Sequence, residues 1–453
     1  MNIAIIGLGK FGKELTENLS FAKHNITVVD TKAQIIEEMV NQYDVIGYVG
    51  NGASYQTQIN ASLNKADVLI ATTSTDETNI LCCLVAKKLG IKHTIARIRN
   101  PEYAIQTQFM SEELGIDVTL NPDLDTAHEI FRILRFPSAI KSEAFANGKV
   151  DMVEIKIDKD SLLCNKSLVE IAEKYQVRIL VCAVKRDNDV FIPKGDFVLQ
   201  EGDYVYLTCD AKEISKAFRK LKIYKEKLSS AMIVGGGRIT YYLASLLLKN
   251  GISVKIVEKD KQICKTLSDL FPKAIVLNGD ATNQKLLLEE GIESIDGVIT
   301  LTGMDETNIV ISSFAHNLNC DKVITKVNNT NYDLILKNVG LDSVISPKDI
   351  FASNILKYVR GMENSSKRGS EITTLHRLVN NKVEALEFTI PKQTKYTSIP
   401  LKDLSIKSDT LLACIIRNNS VIIPNGKDTI EPLDSVIIIT TNTKIKDFSD
   451  ILE

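Results

Sequence analysis

The sequence lacks the signals of a membrane-spanning or secreted chain. Its apolar runs, such as residues 231–234, have the length of strands and fall far below the roughly 20 residues that cross a bilayer. The amino terminus passes from an apolar strand straight into a glycine turn, with neither a basic leader nor a small-residue cleavage site. We therefore expect no membrane span and no secretion signal.

Metal-binding and nucleic-acid-binding patterns are also missing. The eight cysteines include no C-x-x-C pair, and the five histidines fall in different segments. The formal net charge is only −2, from 55 basic and 57 acidic residues, which offers no overall attraction for nucleic acid. We expect no metal site, no nucleic-acid partner and no catalytic triad.

What the sequence does contain is a duplication. With 453 residues, 44% of them hydrophobic, the chain is long enough for several globular domains. Three segments of the first half recur about 230 positions later. They are GLGKFG at 7–12 with GGGRIT at 235–240, DETN at 76–79 and 305–308, and VFIPKGDFVLQEGDYVYL at 190–207 with VIIPNGKDTIEPLDSVII at 421–438.

Each copy therefore holds a larger domain followed by a smaller one, which gives four domains of ordinary size. The predicted boundaries are 1–135, 140–222, 229–360 and 371–453. A charged segment at 216–230 joins the two copies, and the polar segment 361–371 predicts a mobile loop within the second copy.

Alternating strands and amphipathic helices in the larger domain predict a doubly wound parallel sheet of the Rossmann type. The expected strands of the first copy are 2–6, 27–29, 45–49, 68–71, 94–98 and 118–120, with a helix at 10–21. The smaller domain predicts a compact α/β module with strands at 150–157, 179–185 and 204–208 and a helix at 167–174.

The first glycine turn stands between a strand and a helix, which is the context in which G-x-G-x-x-G binds a dinucleotide. Gly7 permits the tight turn, Gly9 lets backbone amides approach a pyrophosphate, and Gly12 lets helix and strand pack closely. Asp30 ends the second strand, where a carboxylate bonds the ribose hydroxyls and favours NAD over NADP.

In the second copy Glu258 occupies the place of Asp30, but Thr240 replaces the third glycine. We expect looser packing of the helix there, and the occupancy of this second site stays open.

Other candidate residues lie at the carboxyl edge of the predicted sheet, where ligands of open α/β folds bind. Thr72 and Thr73 follow the fourth strand, and the DETN segment after them predicts a helix start capped by Thr75 or Asp76. Arg97 ends the fifth strand and is matched by Lys326 in the second copy, so a basic side chain is expected beside the ligand in both.

These segments, together with ARIRNPEY at 96–103 and IPKGD at 192–196, closely resemble the TrkA family over the whole chain. That family comprises the cytoplasmic regulatory subunits of Trk-type potassium uptake systems, built as tandem RCK units of a KTN domain followed by a TrkA-C domain. The resemblance implies a regulatory protein that binds NAD(H), with ATP or ADP in some relatives.

The resemblance also implies a set of ligand-binding positions and partners. In the first copy the cofactor-binding positions are Gly7, Leu8, Gly9, Lys10, Phe11, Gly12, Asp30, Thr72, Thr73 and Arg97, and in the second Gly235, Gly236, Gly237, Arg238, Ile239, Glu258 and Lys326. It further implies self-association into a ring, as a dimer or tetramer, beneath an integral membrane potassium-translocating subunit of the TrkH/TrkG type. The expected location is cytoplasmic, peripheral on the inner face of the cell membrane.

Two other classes compete with this interpretation. An NAD-dependent oxidoreductase uses the same fold, since fold alone does not decide function. The first small domain, at residues 150–212, however, carries no histidine, nucleophile motif or paired carboxylates, so we expect no enzyme. The third class is a cytoplasmic nucleotide-gated domain of a channel or exporter, or a freestanding sensor with another partner, because only the resemblance identifies the transporter.

Overall fold

A computed structural model describes most of the chain. The described residues are 1–21, 24–135, 139–145, 150–177, 179–187, 189–210, 214–223, 228–365, 371–378, 382–390, 394–418, 420–442, 445 and 447–453.

The helices within these ranges are α1 Lys10–Phe21, α2 Ala33–Gln42, α3 Tyr55–Asn60, α4 Asp76–Lys88, α5 Pro101–Ala104, α6 Thr107–Glu112, α7 Pro122–Arg135, α8 Leu168–Tyr175, α9 Ile214–Lys220, α10 Arg238–Lys249, α11 Lys261–Leu270, α12 Gln284–Glu289, α13 Asp305–Asn317, α14 Asp333–Asn338 and α15 Pro347–Ser365.

The strands of the first copy are β1 Asn2–Ile6, β2 Asn25–Asp30, β3 Val45–Val49, β4 Val68–Ala71, β5 His93–Arg97, β6 Val118–Leu120, β7 Lys141–Phe145, β8 Val150–Lys156, β9 Leu180–Arg186, β10 Asp189–Phe191 and β11 Tyr204–Asp210. Those of the second copy are β12 Ser230–Val234, β13 Ser253–Glu258, β14 Ile275–Asn278, β15 Gly297–Thr300, β16 Lys322–Lys326, β17 Val344–Ile345, β18 Glu371–Leu378, β19 Val383–Thr389, β20 Thr410–Arg417, β21 Ser420–Ile422 and β22 Ser435–Thr440.

The chain divides into two units, and each unit takes one part from each copy. The first unit comprises residues 1–131 and 229–356, and the second comprises residues 132–228 and 357–453. The two larger domains therefore form the first unit and the two smaller domains form the second, although larger and smaller domains alternate along the sequence.

The first unit contains two parallel six-stranded sheets with the same strand order. The orders are β3-β2-β1-β4-β5-β6 and β14-β13-β12-β15-β16-β17. In the first sheet the central strand β1 pairs with β2 and β4, so Ile3 lies beside Ile26 and Val68, and all three side chains are buried. The predicted duplicated Rossmann-like fold is confirmed, and the six predicted strands match β1 to β6 to within two residues at each end.

The second unit contains two antiparallel five-stranded sheets, ordered β10-β9-β11-β8-β7 and β21-β20-β22-β19-β18. The predicted small α/β module is confirmed, with α8 beginning after a capping box formed by Ser167 and Glu170. The predicted strand list had omitted the two edge strands, β7 and β10.

A partly buried ion pair occurs in each of the two small domains. The guanidinium of Arg186 donates to both carboxylate oxygens of Asp203 at 2.8 Å, and Arg417 does the same to Asp434 at 2.8–3.0 Å. Each arginine also donates to a loop carbonyl, that of Val198 or that of Thr429. These forked bonds anchor the loop before β11 and β22 to the neighbouring strand.

The polar segment 361–371, predicted as a mobile loop, is helical as far as Ser365, and residues 366–370 lie outside the described residues. Phe351, Ile355 and Val359 follow one another at four-residue spacing and are fully buried. Burial of this stripe outweighs the roughly 1 kcal/mol that Gly361 costs inside a helix. The boundary between the two units falls within this helix, after Leu356.

Of the joining segment 216–230, residues up to Lys220 belong to α9, and residues 224–227 lie outside the described part of the chain. Among the helices that the structure describes, none combines the length and the apolar character needed to cross a bilayer.

Candidate functional site

The first glycine turn links β1 to α1 and requires glycine at two positions for steric reasons. Gly7 has φ = +92°, and a Cβ atom there would lie 2.7 Å from the backbone of Thr73. A Cβ at Gly12 would lie 2.0 Å from the carbonyl oxygen of Gly7. At Gly9 no atom lies within 4 Å of the Cβ position, so the backbone there is open to approach.

Asp30, at the end of β2, braces this turn. One of its carboxylate oxygens accepts a hydrogen bond from the Leu8 amide at 2.7 Å, and the other accepts from the Lys32 amide at 2.9 Å. Each oxygen keeps a second lone pair, which is what a ribose hydroxyl would need. Asp30, the residue predicted to bind the ribose, therefore also stabilises the glycine turn that is expected to bind the pyrophosphate.

The second turn repeats this arrangement. Gly235 has φ = +102°, and Glu258 accepts from the amides of Gly236 at 2.6 Å and Asp260 at 2.8 Å. Thr240 is fully buried, and its hydroxyl donates to the Gly235 carbonyl. The hydroxyl therefore makes a hydrogen bond where Gly12 of the first turn makes a close contact, and looser packing of this helix stays a prediction.

The hydroxyls predicted to face the ligand are engaged in the protein itself. Thr72 is buried and donates to the Gly7 carbonyl at 2.7 Å, while the hydroxyl of Thr73 donates to the side-chain oxygen of Asn79 at 2.7 Å. In the second copy Thr302 makes the corresponding bond to Asn308 at 2.6 Å. Thr72 and Thr73 therefore shape the wall of the site.

The DETN segments tie α4 and α13 to the ends of neighbouring strands. Thr75 caps α4, as the sequence had suggested, but Asp76 accepts from the backbone amides of Arg99 and Asn100, beyond β5. Asp305 bonds the amides of Asn328 and Asn329 in the same way, whereas Met304 provides no cap. This bond from the tetrapeptide to the backbone beyond the neighbouring strand was not predicted from the sequence, although the exact repetition of DETN indicated a shared role.

Asn79 and Asn308 complete the tie. Each amide side chain donates to the backbone carbonyl of the basic residue that ends the fifth strand, Arg97 at 2.8 Å and Lys326 at 2.9 Å. The same tetrapeptide therefore fixes the backbone at the position where the candidate basic ligand emerges.

Arg97 is only 4% exposed, and its guanidinium donates to the carbonyl of Thr73. It also lies over the ring of Phe11, 4.9 Å from the centroid. Burial, with a smaller contribution from the charge of Arg99, lowers its pKa to about 10, so it stays charged at neutral pH.

Lys326 is less enclosed and donates to the Leu301 carbonyl at 3.3 Å. Burial lowers its pKa, and the nearby carboxylate of Asp305 opposes that shift. Both basic residues are thus desolvated cations, which bind an anionic group more strongly than exposed ones.

A cavity of about 550 Å³ in the first unit opens beside Lys10 and Lys13 and extends to the loops after β15 and β16, at Asp305 and Asn328. Within the described residues, no group of three or more His, Cys, Asp or Glu side chains is placed to hold a metal ion.

Comparison with known proteins assigns the chain to a family. The TrkA-N domain matches residues 3–122 and 231–347, and the TrkA-C domain matches residues 152–222. The Trk system potassium uptake protein TrkA homolog of Archaeoglobus fulgidus is 30% identical over 453 residues, which cover 100% of both chains. The chain belongs to the TrkA family.

Another TrkA relative, the Trk system potassium uptake protein TrkA of Halomonas elongata, is 31% identical over 450 residues, covering 98% of this chain and 96% of its own. Among solved structures, the GsuK RCK domain has a TM-score of 0.63 at 17% identity and covers 97% of this chain and 92% of that one. The GsuK channel bound to NAD also has a TM-score of 0.63, and covers 99% of this chain and 78% of that one. These structural likenesses show that the two chains share a fold.

Proposed function

We propose that this TrkA-family chain is a nucleotide-binding regulatory subunit of a Trk-type potassium uptake system, and that it performs no catalysis of its own. The observation that carries the proposal is the pair of glycine turns, each braced by a strand-end carboxylate, Asp30 or Glu258. The relatives that match over the full length are named as Trk potassium uptake proteins, which supports the choice of partner.

The proposed ligand is NAD(H), with ATP or ADP as alternatives that share the adenosine and the pyrophosphate. In the first site the amides of Gly9 to Phe11 and the amino end of α1 face the phosphates, and Arg97 neutralises an anionic group. Leu8 keeps its amide bonded to Asp30, which also bonds the ribose hydroxyls. The corresponding residues of the second site are Gly235 to Ile239, Glu258 and Lys326.

The proposed setting is the cytoplasmic face of the membrane, where copies of the chain form a ring under an integral membrane potassium-translocating subunit of the TrkH/TrkG type. Nucleotide binding shifts the ring between states only through its differential affinity for them. The proposal of a regulator rests on the braced turns as a binding site and on the relatives named as Trk potassium uptake proteins.

Calorimetric titration of NADH and ATP tests the proposal on the wild type and on Asp30→Ala, Glu258→Ala and the double variant. Loss of hydrogen bonds to a charged carboxylate, about 1.5–3 kcal/mol, should weaken binding at the affected site by roughly 10- to 100-fold. Glu37→Ala, an exposed acidic residue on α2, is the matched control and should bind as the wild type does.

Each single variant should lose one class of site, and the double variant should lose both. If the wild type binds neither nucleotide, the sensing function is wrong. Conversion of NADH to NAD by the protein with any small carbonyl compound would instead favour an oxidoreductase.

A further inference from the structure

The first glycine turn is held by a helix of the second copy. Phe11, in the turn, meets Phe351 of α15 edge to face, with ring centroids 5.3 Å apart and an interplanar angle of 84°. The guanidinium of Arg97 also lies over the Phe11 ring. Contacts among these three side chains thus connect the candidate basic ligand of the first site to Phe351 of the second copy.

An ion pair reinforces this contact one helical turn further along α1. The ammonium of Lys348, at the start of α15, donates to the carboxylate of Glu14 at 2.6 Å, and the two side chains are only 18% and 16% exposed. Partial burial strengthens the attraction between the two charges and makes either charge costly to leave without its partner. Helix α1 is therefore fixed against α15 both by aromatic packing and by charge.

The reverse contact, from the second turn to the first copy, is built differently. Ile239 replaces Phe11 and Tyr242 replaces Glu14. On the opposite helix α7, counted from its first residue, Thr126 stands in place of Phe351 and Asp123 in place of Lys348. Neither the aromatic pair nor the ion pair can form with these residues.

In place of them, the Tyr242 hydroxyl donates to the carbonyl of Arg99 at 3.0 Å and accepts from the side chain of Asn121 at 2.8 Å. The basic side chain of the first site is thus linked to the other copy by an aromatic contact, whereas Lys326 of the second site interacts with the first copy through the charge of Asp123.

The position of Arg97 shows why this link bears on the ligand. The side chain is almost fully buried, yet its Nε has no hydrogen-bond partner among the described residues. A buried donor left without a partner is costly, and an anionic ligand group at the turn would satisfy it. The orientation of the Arg97 side chain depends on its contact with the Phe11 ring, and that ring packs against Phe351.

We propose that Phe351 and Lys348 are positioning residues for the first nucleotide site, so that this site binds its ligand only when α15 of the second copy supports the turn. The proposal rests on the nucleotide-binding function proposed above. It further implies that binding at the first site, but not at the second, is transmitted to the beginning of α15.

The test uses the full chain carrying Glu258→Ala, which removes the second site, and measures NADH binding by calorimetry. Lys348→Glu should weaken binding about tenfold, since it places two carboxylates in contact, and Glu14→Lys combined with Lys348→Glu should restore it to within about threefold. Phe351→Leu, which keeps most of the volume, should weaken binding several-fold. Lys285→Glu, at an exposed i,i+4 ion pair of the same copy, is the control and should have no effect.

Hydrogen exchange supplies a readout that a purely structural role would not change. Addition of NADH should slow exchange in the first turns of α15, and Phe351→Leu should abolish that difference while the protein without nucleotide stays folded. A double charge-reversal variant that folds but binds as weakly as Lys348→Glu would overturn the proposal, as would unchanged binding in Lys348→Glu and Phe351→Leu. No NADH binding in the Glu258→Ala chain itself would instead reject the first turn as an NADH site, and failure of the wild type to bind any nucleotide would reject the proposed function.

Discussion

Position 12 of the first turn and position 240 of the second occupy the same place in two copies of one motif. At Gly12 the helix approaches the turn so closely that a Cβ atom would lie 2.0 Å from the Gly7 carbonyl oxygen. That oxygen accepts a hydrogen bond from the hydroxyl of Thr72. At Thr240 a side chain is present, and its hydroxyl donates a hydrogen bond to the Gly235 carbonyl. The two turns therefore satisfy the same buried acceptor by different donors.

This difference predicts opposite tolerances at the two positions. Gly12→Ala should lower the free energy of unfolding by about 2–3 kcal/mol or more, because backbone atoms must move to admit the methyl group. Thr240→Val should cost about 1–2 kcal/mol, because it keeps the shape but removes the donor, whereas Thr240→Ser should cost less than about 1 kcal/mol. Urea denaturation measures all three. A Thr240→Ser variant as unstable as Thr240→Val would show that the hydroxyl is not the stabilising group.

Helices α4 and α13 are each positioned by the DETN tetrapeptide with which they begin. Asp76 bonds the loop after β5, Asn79 bonds Thr73 and the end of β5, and Glu77 bonds the hydroxyl of Tyr103 at 3.0 Å. Asn79 is fully buried, whereas the Glu77 carboxylate is exposed. Members of one short motif thus differ greatly in what they contribute.

Asn79→Ala should lower the free energy of unfolding by about 2–3 kcal/mol, because it leaves the amide of Thr73 and the carbonyl of Arg97 without their partner. Glu77→Ala should leave the free energy of unfolding nearly unchanged, since its bond to Tyr103 is at the surface. Thermal unfolding of the two variants gives the comparison, and Asn308→Ala repeats it in the second copy. Equal losses of stability in Glu77→Ala and Asn79→Ala would contradict the assignment of the buried Asn79 side chain as the group that joins α4 to the end of β5.

At this scale the sequence predicted much of the fold and less of the site. Strands β1 to β6 follow from local periodicity, and the glycine turn with Asp30 follows from spacing along some twenty residues. The contacts of Phe11 with Phe351 and of Glu14 with Lys348 join residues more than 300 positions apart, and periodicity carries no information on such pairs. For the same reason the polar composition near Gly361 suggested a loop, although a buried stripe continues the helix.

At the scale of the whole molecule, the two copies are interleaved. In the second unit a single hydrophobic cluster contains Phe145 and Met152 from the first copy and Ala385, Cys414 and Ile437 from the second. In the first unit, Phe351 of the second copy packs on the turn of the first. Neither copy therefore completes its own buried surface.

Separation of the chain after residue 228 tests this organisation. Co-expressed fragments 1–228 and 229–453 should purify together through a tag on either one, because shared apolar cores hold them. Each fragment expressed alone should be insoluble or should bind the dye ANS, because it would expose the surface that the other covers. Two fragments that are each soluble and monomeric, and that do not associate, would contradict the interleaved arrangement.

The joining of both copies in one chain also has an evolutionary consequence. In a symmetric dimer of single units, every substitution appears twice, so a lysine gained at one contact is gained at its mirror image as well. In this chain each substitution is inherited once, which is why Glu14 can face Lys348 in one direction while Tyr242 faces Asn121 in the other. Selection can therefore adjust one glycine turn without disturbing its twin.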